Sequence, residues 1–150
     1  LAPEQKTSIP TLIDLPKLLL ATERLAEDSE TAEDLRLLLA AGSSLGGARP
    51  KASVRDRDGS LAIAKFRKKG DEHNIVLWEA VALALAKESG ITVPSWRLEK
   101  IAEKPVLIIN RFDRYKGERI PFLSAMSMLG ATDNEQHSYL EMAYALARYG

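Results

Sequence analysis

Ala52-Ser-Val-Arg-Asp-Arg-Asp-Gly-Ser-Leu-Ala-Ile-Ala-Lys-Phe66 contains two short β-compatible runs, 52–56 and 60–66, joined by Asp56-Arg-Asp-Gly59. Asp58-Gly59 is a strong hairpin signal, because glycine supplies the positive φ that a tight turn demands. In the second run Leu61, Ile63 and Lys65 fall on one face of a strand, and Ala62, Ala64 and Phe66 on the other. A lysine therefore stands in line with two apolar residues. It either snorkels from a sheet edge into solvent or points inward, where it could neutralise a phosphate.

On the N-terminal side, residues 1–11 carry two prolines and read as an irregular lead-in. Asp14 followed by Leu15-Pro16 predicts a capped helix over 15–27, since proline is tolerated in a first turn. Thr31-Ala-Glu-Asp34 resembles a capping box, and the helix it opens ends at Gly42. On the C-terminal side, 67–72 is a charged loop. Asn74 to Ser89 has an uninterrupted helical pattern, with Gly90 as terminator. Ile91–Leu98 reads as extended, Glu103-Lys-Pro105 as a turn, and Val106–Ile109 as a buried strand. Lys116-Gly117 is another turn, and Asp133–Gln136 leads into a last helix, Ser138–Tyr149. Helices, hairpin, helix, strand pair and helix in that order define α+β with an antiparallel sheet, not repeated βαβ units.

The 150 residues suffice for one domain or one lobe of something larger. Hydrophobic residues at 45% and charged residues at 28% exclude a disordered tail. Lys+Arg and Asp+Glu are both 21, a balance that argues against a surface built to coat nucleic acid or an acidic membrane. There is no cysteine, which removes disulfides, thiolate catalysis and cysteine-ligated metals together. Two histidines, His73 and His137, make a multi-histidine metal site improbable, and both read as solvated. The longest apolar runs, Leu18–Ala21 and Val81–Ala86, fall far short of the ~20 residues of a membrane span. With no signal-peptide pattern at the N-terminus, a cytoplasmic protein without membrane attachment is expected. The first residue is Leu, so a piece of a longer chain is expected.

Three features could carry chemistry. Ser43-Ser-Leu-Gly-Gly-Ala-Arg-Pro-Lys51 places adjacent glycines before a strand, where backbone amides can converge on a phosphate. Its spacing is not that of a Walker A loop, and it leads into a strand rather than a helix, unlike the dinucleotide fingerprint. Lys65 follows on the hairpin, and Glu79 lies fourteen positions later beside Trp78. Each has an ordinary reading alone: a connector, a surface lysine, a surface carboxylate. In this order they match the small lobe of protein kinases, in which a Gly-rich turn, a strand lysine and a helix glutamate form a triphosphate cradle.

Residues Ser43 to Ala52 closely resemble the Gly-rich signature of HipA-type serine/threonine kinases, the toxin components of bacterial toxin–antitoxin pairs. The resemblance continues through Ile63-Ala-Lys-Phe66, Asn74 to Gly90, Ile109-Asn-Arg-Phe-Asp-Arg114, Ser124-Ala-Met-Ser-Met-Leu-Gly130 and Ser138-Tyr139. It implies a protein-kinase-like small lobe with an antiparallel sheet and a helix of the αC type, preceded by two helices and followed by a helix that starts the large lobe. The implied division is 1–42 as an N-terminal helical segment, 43–115 as the small lobe with hinge, and 116–150 as the start of a truncated large lobe.

The resemblance also implies roles. Gly46, Gly47, Ala48, Arg49, Pro50 and Lys51 would lie over the ATP phosphates, and Lys65 would contact them, oriented by Glu79. Asn110, Arg111 and Phe112 would form the hinge against adenine. Ser44 falls where the family carries an autophosphorylated serine that ejects the loop, and a phosphate there would add ~−2 charge beside those of ATP. ATP and Mg2+ are the implied cofactors. The implied partners are a helix-turn-helix DNA-binding antitoxin, DNA only through it, and a protein substrate such as a tRNA synthetase. After Arg114 neither the catalytic Asp loop nor the magnesium-holding Asp of the family pattern is found. Asp133-Asn134 is the nearest candidate and lacks the second half. The chain alone is therefore expected to be inactive, and a non-catalytic interaction module with a kinase-lobe fold is the alternative. Arg67-Lys-Lys69 reads as a solvated loop, Arg111 and Arg114 as internal partners of Asp113, and Met126, Met128 and Leu129 as core or interface.

Overall fold

A computed structural model describes residues 9–42 and 49–149. The Gly-rich positions Ser43 to Ala48, including Ser44, Gly46 and Gly47, lie outside the described residues.

Two helices open the chain, α1 (Leu15–Leu25) and α2 (Ala32–Gly42). Pro16 sits in the first turn of α1 as expected, and Leu15, Leu18, Leu19 and Ala21 are its buried stripe. Asp14 does not cap α1, contrary to the sequence reading. It has helical dihedrals and turns back instead, accepting from the Thr11 amide and hydroxyl at 2.9 Å each, and so closes a preceding 3-10 turn, Leu12–Asp14. The helix also ends at Leu25, not 27, before Asp28 takes a positive φ. The Thr31–Asp34 capping box forms as expected. Thr31 N–H donates to Asp34 Oδ2 at 2.9 Å, and Asp34 N–H donates to Thr31 Oγ1 at 3.2 Å. The Asp34 carboxylate also receives Arg24 Nε at 2.8 Å, which locks α2 to the end of α1.

The strands β1 (Lys51–Arg55), β2 (Leu61–Lys65), β3 (Trp96–Ile101) and β4 (Lys104–Asn110) form one antiparallel sheet in the order β1-β2-β4-β3. The β1–β2 turn has Gly59 at φ +84°, and Asp58 Oδ1 accepts from Ser60 N at 2.9 Å. Between β3 and β4 the turn lies at Ala102-Glu103, both with positive φ, and not at Glu103–Pro105. Lys104 and Pro105 already belong to β4. Proline costs nothing in that strand for a geometric reason. The Arg111 amide points to Leu61 of β2, so by alternation position 105 also faces the β2 side, and β2 pairing stops at Leu107. The extended reading of Ile91–Leu98 holds as strand only from Trp96 onward.

The helix α3 (Ile75–Glu88) lies across one face of the sheet, with Asn74 as its cap. Its Val76 and Ala80 pack on Leu107, with Trp96 and Ile109 alongside. The opposite face receives α1 and α2: Leu15, Leu18, Leu19 and Ala41 pack against Ala52, Val54, Ala62, Ala64, Phe66, Val106 and Ile108. The segment after β4 leads into a small hairpin, β5 (Arg114–Tyr115) and β6 (Glu118–Arg119), which turns at Lys116-Gly117 as read from sequence. A five-residue helix, α4 (Ala125–Leu129), follows. It is too short to show periodicity, so its cap Ser124 and left-handed Gly130 are the only local signals. The chain closes with α5 (Tyr139–Tyr149), where Ser138 and Glu141 form a second capping box.

Leu18 is fully buried between α1 and the sheet. Leu18→Ala is expected to cost about 2–5 kcal/mol, through lost transfer energy and a residual cavity. The measurement is the urea midpoint at unchanged m-value. A loss under about 1 kcal/mol would mean that α1 is not part of the core.

Candidate functional site

The α3 side of the sheet brings together five of the sequence-predicted residues, Arg49, Pro50, Lys51, Lys65 and Glu79. Strand alternation sends Ala62 and Ala64 into the α1–α2 core, which puts Ile63 and Lys65 on the face toward α3. Lys65 pairs in register with Lys51 and therefore shares its face. The Lys65 ammonium forms a salt bridge with Glu79 of α3, with both side chains about one-third exposed (30% and 34%). The helix period explains the reach: Val76 and Ala80 face the sheet, and Glu79 stands at their edge. At this exposure an ion pair contributes only about 0–1 kcal/mol to stability. Its main effect is to fix where the ammonium points.

Arg49, Pro50, Lys51, Lys65, Phe66, Ile75, Val76 and Glu79 together line a pocket of about 110 Å3. Its wall is tied to β2 directly, because Phe66 N–H donates to Pro50 O at 3.1 Å. The segment leaving the Gly-rich stretch thus meets the strand one residue after Lys65. Arg49 is anchored elsewhere: its guanidinium donates to Asp71 Oδ2 at 2.7 Å. Asp71 also accepts from Lys68 N–H at 3.2 Å, and its carbonyl receives Arg67 at 2.6 Å. The Arg49 hydrogen bond, with help from the Lys68 amide, holds the Asp71 carboxyl below its usual range. The 67–71 segment is therefore not a free basic loop. Lys69 also pairs with Glu27, in the turn just after α1, across a larger recess of about 520 Å3 that shares Pro50 with the first pocket.

Asn110, Arg111 and Phe112 lie at the other end of the same sheet. Asn110 N–H donates to Ser95 O at 2.8 Å and Arg111 N–H to Leu61 O at 2.9 Å, so the Phe112 amide falls outside both ladders. The Phe112 ring is exposed and meets Phe122 edge-to-face at 5.0 Å. Arg111 does not extend into solvent. It forms a two-point pair with Asp113, Nε to Oδ1 at 2.8 Å and Nη2 to Oδ2 at 2.6 Å, as expected from the motif. Arg114 donates to the same carboxylate at 2.5 Å. Sequence reasoning did not single out Ser53, a buried hydroxyl on β1 that Arg111 Nη1 reaches at 3.4 Å. A polar residue between Ala52 and Val54 in a hairpin strand was its only signal.

His137 is exposed, as read from sequence. Glu135 and Glu141 flank it at 3.5 and 3.6 Å, far from the cleft residues in sequence. Among the described residues no group of three or more His, Asp or Glu side chains could hold a metal ion. No helix among them is long and apolar enough to cross a membrane.

Fold and site define an α+β domain with a lysine–glutamate pair clamped between an antiparallel sheet and one helix, next to Arg49, Pro50 and Lys51. The family model of the HipA-like C-terminal domain matches residues 43–150. The chain belongs to the HipA family, a kinase-like family. Residues before 43, including α1 and α2, precede the matched region. No curated protein and no solved structure matches the chain.

Because Arg49 lowers the Asp71 carboxyl, the stabilisation from that carboxylate is complete above the ordinary value near pH 4. It is lost as pH falls through the depressed value. An Asp71 carboxyl resonance followed by NMR should titrate below about pH 4, and Arg49→Ala should move it upward. A midpoint at or above about pH 4 in the unsubstituted chain would contradict the pairing.

Proposed function

We propose that this chain is the ATP-binding part of a serine/threonine protein kinase of the HipA type, acting as the toxin of a toxin–antitoxin pair. The observation that carries the reading is the Lys65–Glu79 bridge on the face that also holds Lys51, which follows the Gly-rich stretch in sequence. A kinase small lobe needs that geometry, because little covalent chemistry falls to the protein and most of the catalysis is positioning and charge neutralisation.

In this reading the Gly-rich amides and Lys51 cover the phosphates of ATP. Lys65, held by Glu79, neutralises them, and Asn110 to Phe112 meet the adenine edge. The γ-phosphoryl group passes to a Ser or Thr hydroxyl of a protein substrate, ADP departs, and the hydroxyl proton goes to a base. The described residues fit the nucleotide-cradling part of this task and do not fit a magnesium site. The reading therefore requires a catalytic Asp and metal ligands beyond these residues. The kinase-like small lobe, the autophosphorylation of Ser44, the helix-turn-helix antitoxin and a tRNA synthetase as substrate all belong to this proposal.

A non-catalytic interaction module is the competing reading. Its support is the apolar surface of α5, where Tyr139, Leu140, Tyr144 and Tyr149 are exposed. Nucleotide binding separates the two. In the full-length protein, calorimetry should show ATP binding that Lys65→Ala weakens about tenfold or more, equivalent to ~1.4 kcal/mol. Glu79→Gln should weaken it less, while changing stability by under about 1 kcal/mol. Absence of ATP binding in the full-length protein would favour the module. The 150-residue chain should transfer no phosphate from labelled ATP, and transfer abolished by Lys65→Ala would overturn the requirement for further catalytic residues.

A further inference from the structure

One carboxylate, Asp113, joins three parts of the molecule. Through Arg111 it holds the end of β4, and through Arg114 at 2.5 Å it holds the start of β5. Its carbonyl also receives Ile120 N–H at 3.0 Å, just after β6. Arg111 and Asp113 have side chains only 9% and 6% exposed, unlike the half-open pairs elsewhere on the surface. From this anchor the Arg111 guanidinium extends to Ser53 Oγ on β1. Ser53 lies opposite Ile63, and Ile63 opposite Ile109, so the guanidinium spans from the hinge to the hairpin across the Lys65 face of β2. That face is the floor on which the base of a nucleotide would rest.

We propose that Arg111, fixed by Asp113 and braced on Ser53, is a positioning residue. It sets the spacing between the segment that follows β4 and the β1–β2 hairpin, and so the fit of the purine ring. The inference rests on the nucleotide reading above and adds Asp113 and Ser53 to the residues that serve it. The two contacts differ in strength. The Arg111–Asp113 pair is buried, charge-assisted and two-pointed, whereas the Ser53 contact is long and neutral on one side. Asp113 should therefore dominate. The phosphate end of the site, at Lys65 and Lys51, does not depend on this bridge.

The test separates base from phosphate. Adenosine and inorganic tripolyphosphate are titrated separately into the full-length protein and its variants by calorimetry. Asp113→Asn should weaken adenosine about tenfold, and Ser53→Ala about two- to threefold, with tripolyphosphate unchanged in both. Lys65→Ala should show the reverse pattern. Since Asp113→Asn leaves Arg111 without its charge partner and puts folding at risk, Arg111→Lys serves as the second variant: it keeps the charge, loses the fork, and should also weaken adenosine alone. Variants that lose both ligands equally, or neither, would overturn the positioning role. A parent protein that binds neither probe would overturn the nucleotide reading itself.

Discussion

The two-sided demand on β2 organises the rest of the structure. Ala62 and Ala64 must be small, because α1 and α2 pack directly on that face with Leu15, Leu18 and Leu19. With the small side committed to the core, Ile63 and Lys65 have one direction left, toward α3. A one-residue slip of the hairpin would send Lys65 into the leucines and Ala64 into the cleft. The cost of burying an unpaired ammonium among apolar side chains enforces the register. The lysine's position at the mouth of the cleft thus follows from packing on the opposite side of the sheet.

Charge balance is achieved by pairing across elements. Asp34 joins α2 to Arg24 of α1, and Asp56 of the β1–β2 turn grips Arg97 of β3 at 2.7 and 2.9 Å. Asp113 gathers Arg111 and Arg114. In each case the arginine hydrogen bonds are the largest cause that holds the aspartate below its usual range. These carboxylates are structural clamps at the ends of strands and helices. Lys65 and Glu79, by contrast, keep about a third of their surface open to solvent.

The helix α3 combines two tasks. Its inner positions Val76 and Ala80 seal the sheet, and Glu79 serves the cleft, yet Leu77, Trp78, Val81 and Leu85 remain exposed. A helix apolar on nearly every side is usually covered on nearly every side. α5 likewise exposes Tyr139, Leu140 and Tyr144. Further exposed apolar side chains, Phe112, Tyr115, Phe122 and Leu123, lie in the segment after β4, while the two faces of the four-stranded sheet carry the two core clusters.

By itself the sequence determined the element order, the hairpin with its Asp58-Gly59 turn, the capping box at Thr31 and the α+β class. These depend on contacts within a few residues, where turn chemistry and alternation act without help from the rest of the chain. It also marked Lys65, Glu79 and the Arg-Phe-Asp-Arg segment as a set, through order and motif. Only the tertiary structure decided that Asp14 turns back to Thr11, that Pro105 lies inside a strand, and that Arg111 reaches Ser53. Asp14 had two competing uses for one carboxylate, and Pro105 was permissible only because β2 ends short of it. Arg111 and Ser53 are brought together by the order β1-β2-β4 within the sheet. That order is set by burying both faces of β2 at once, and no local window of sequence contains it.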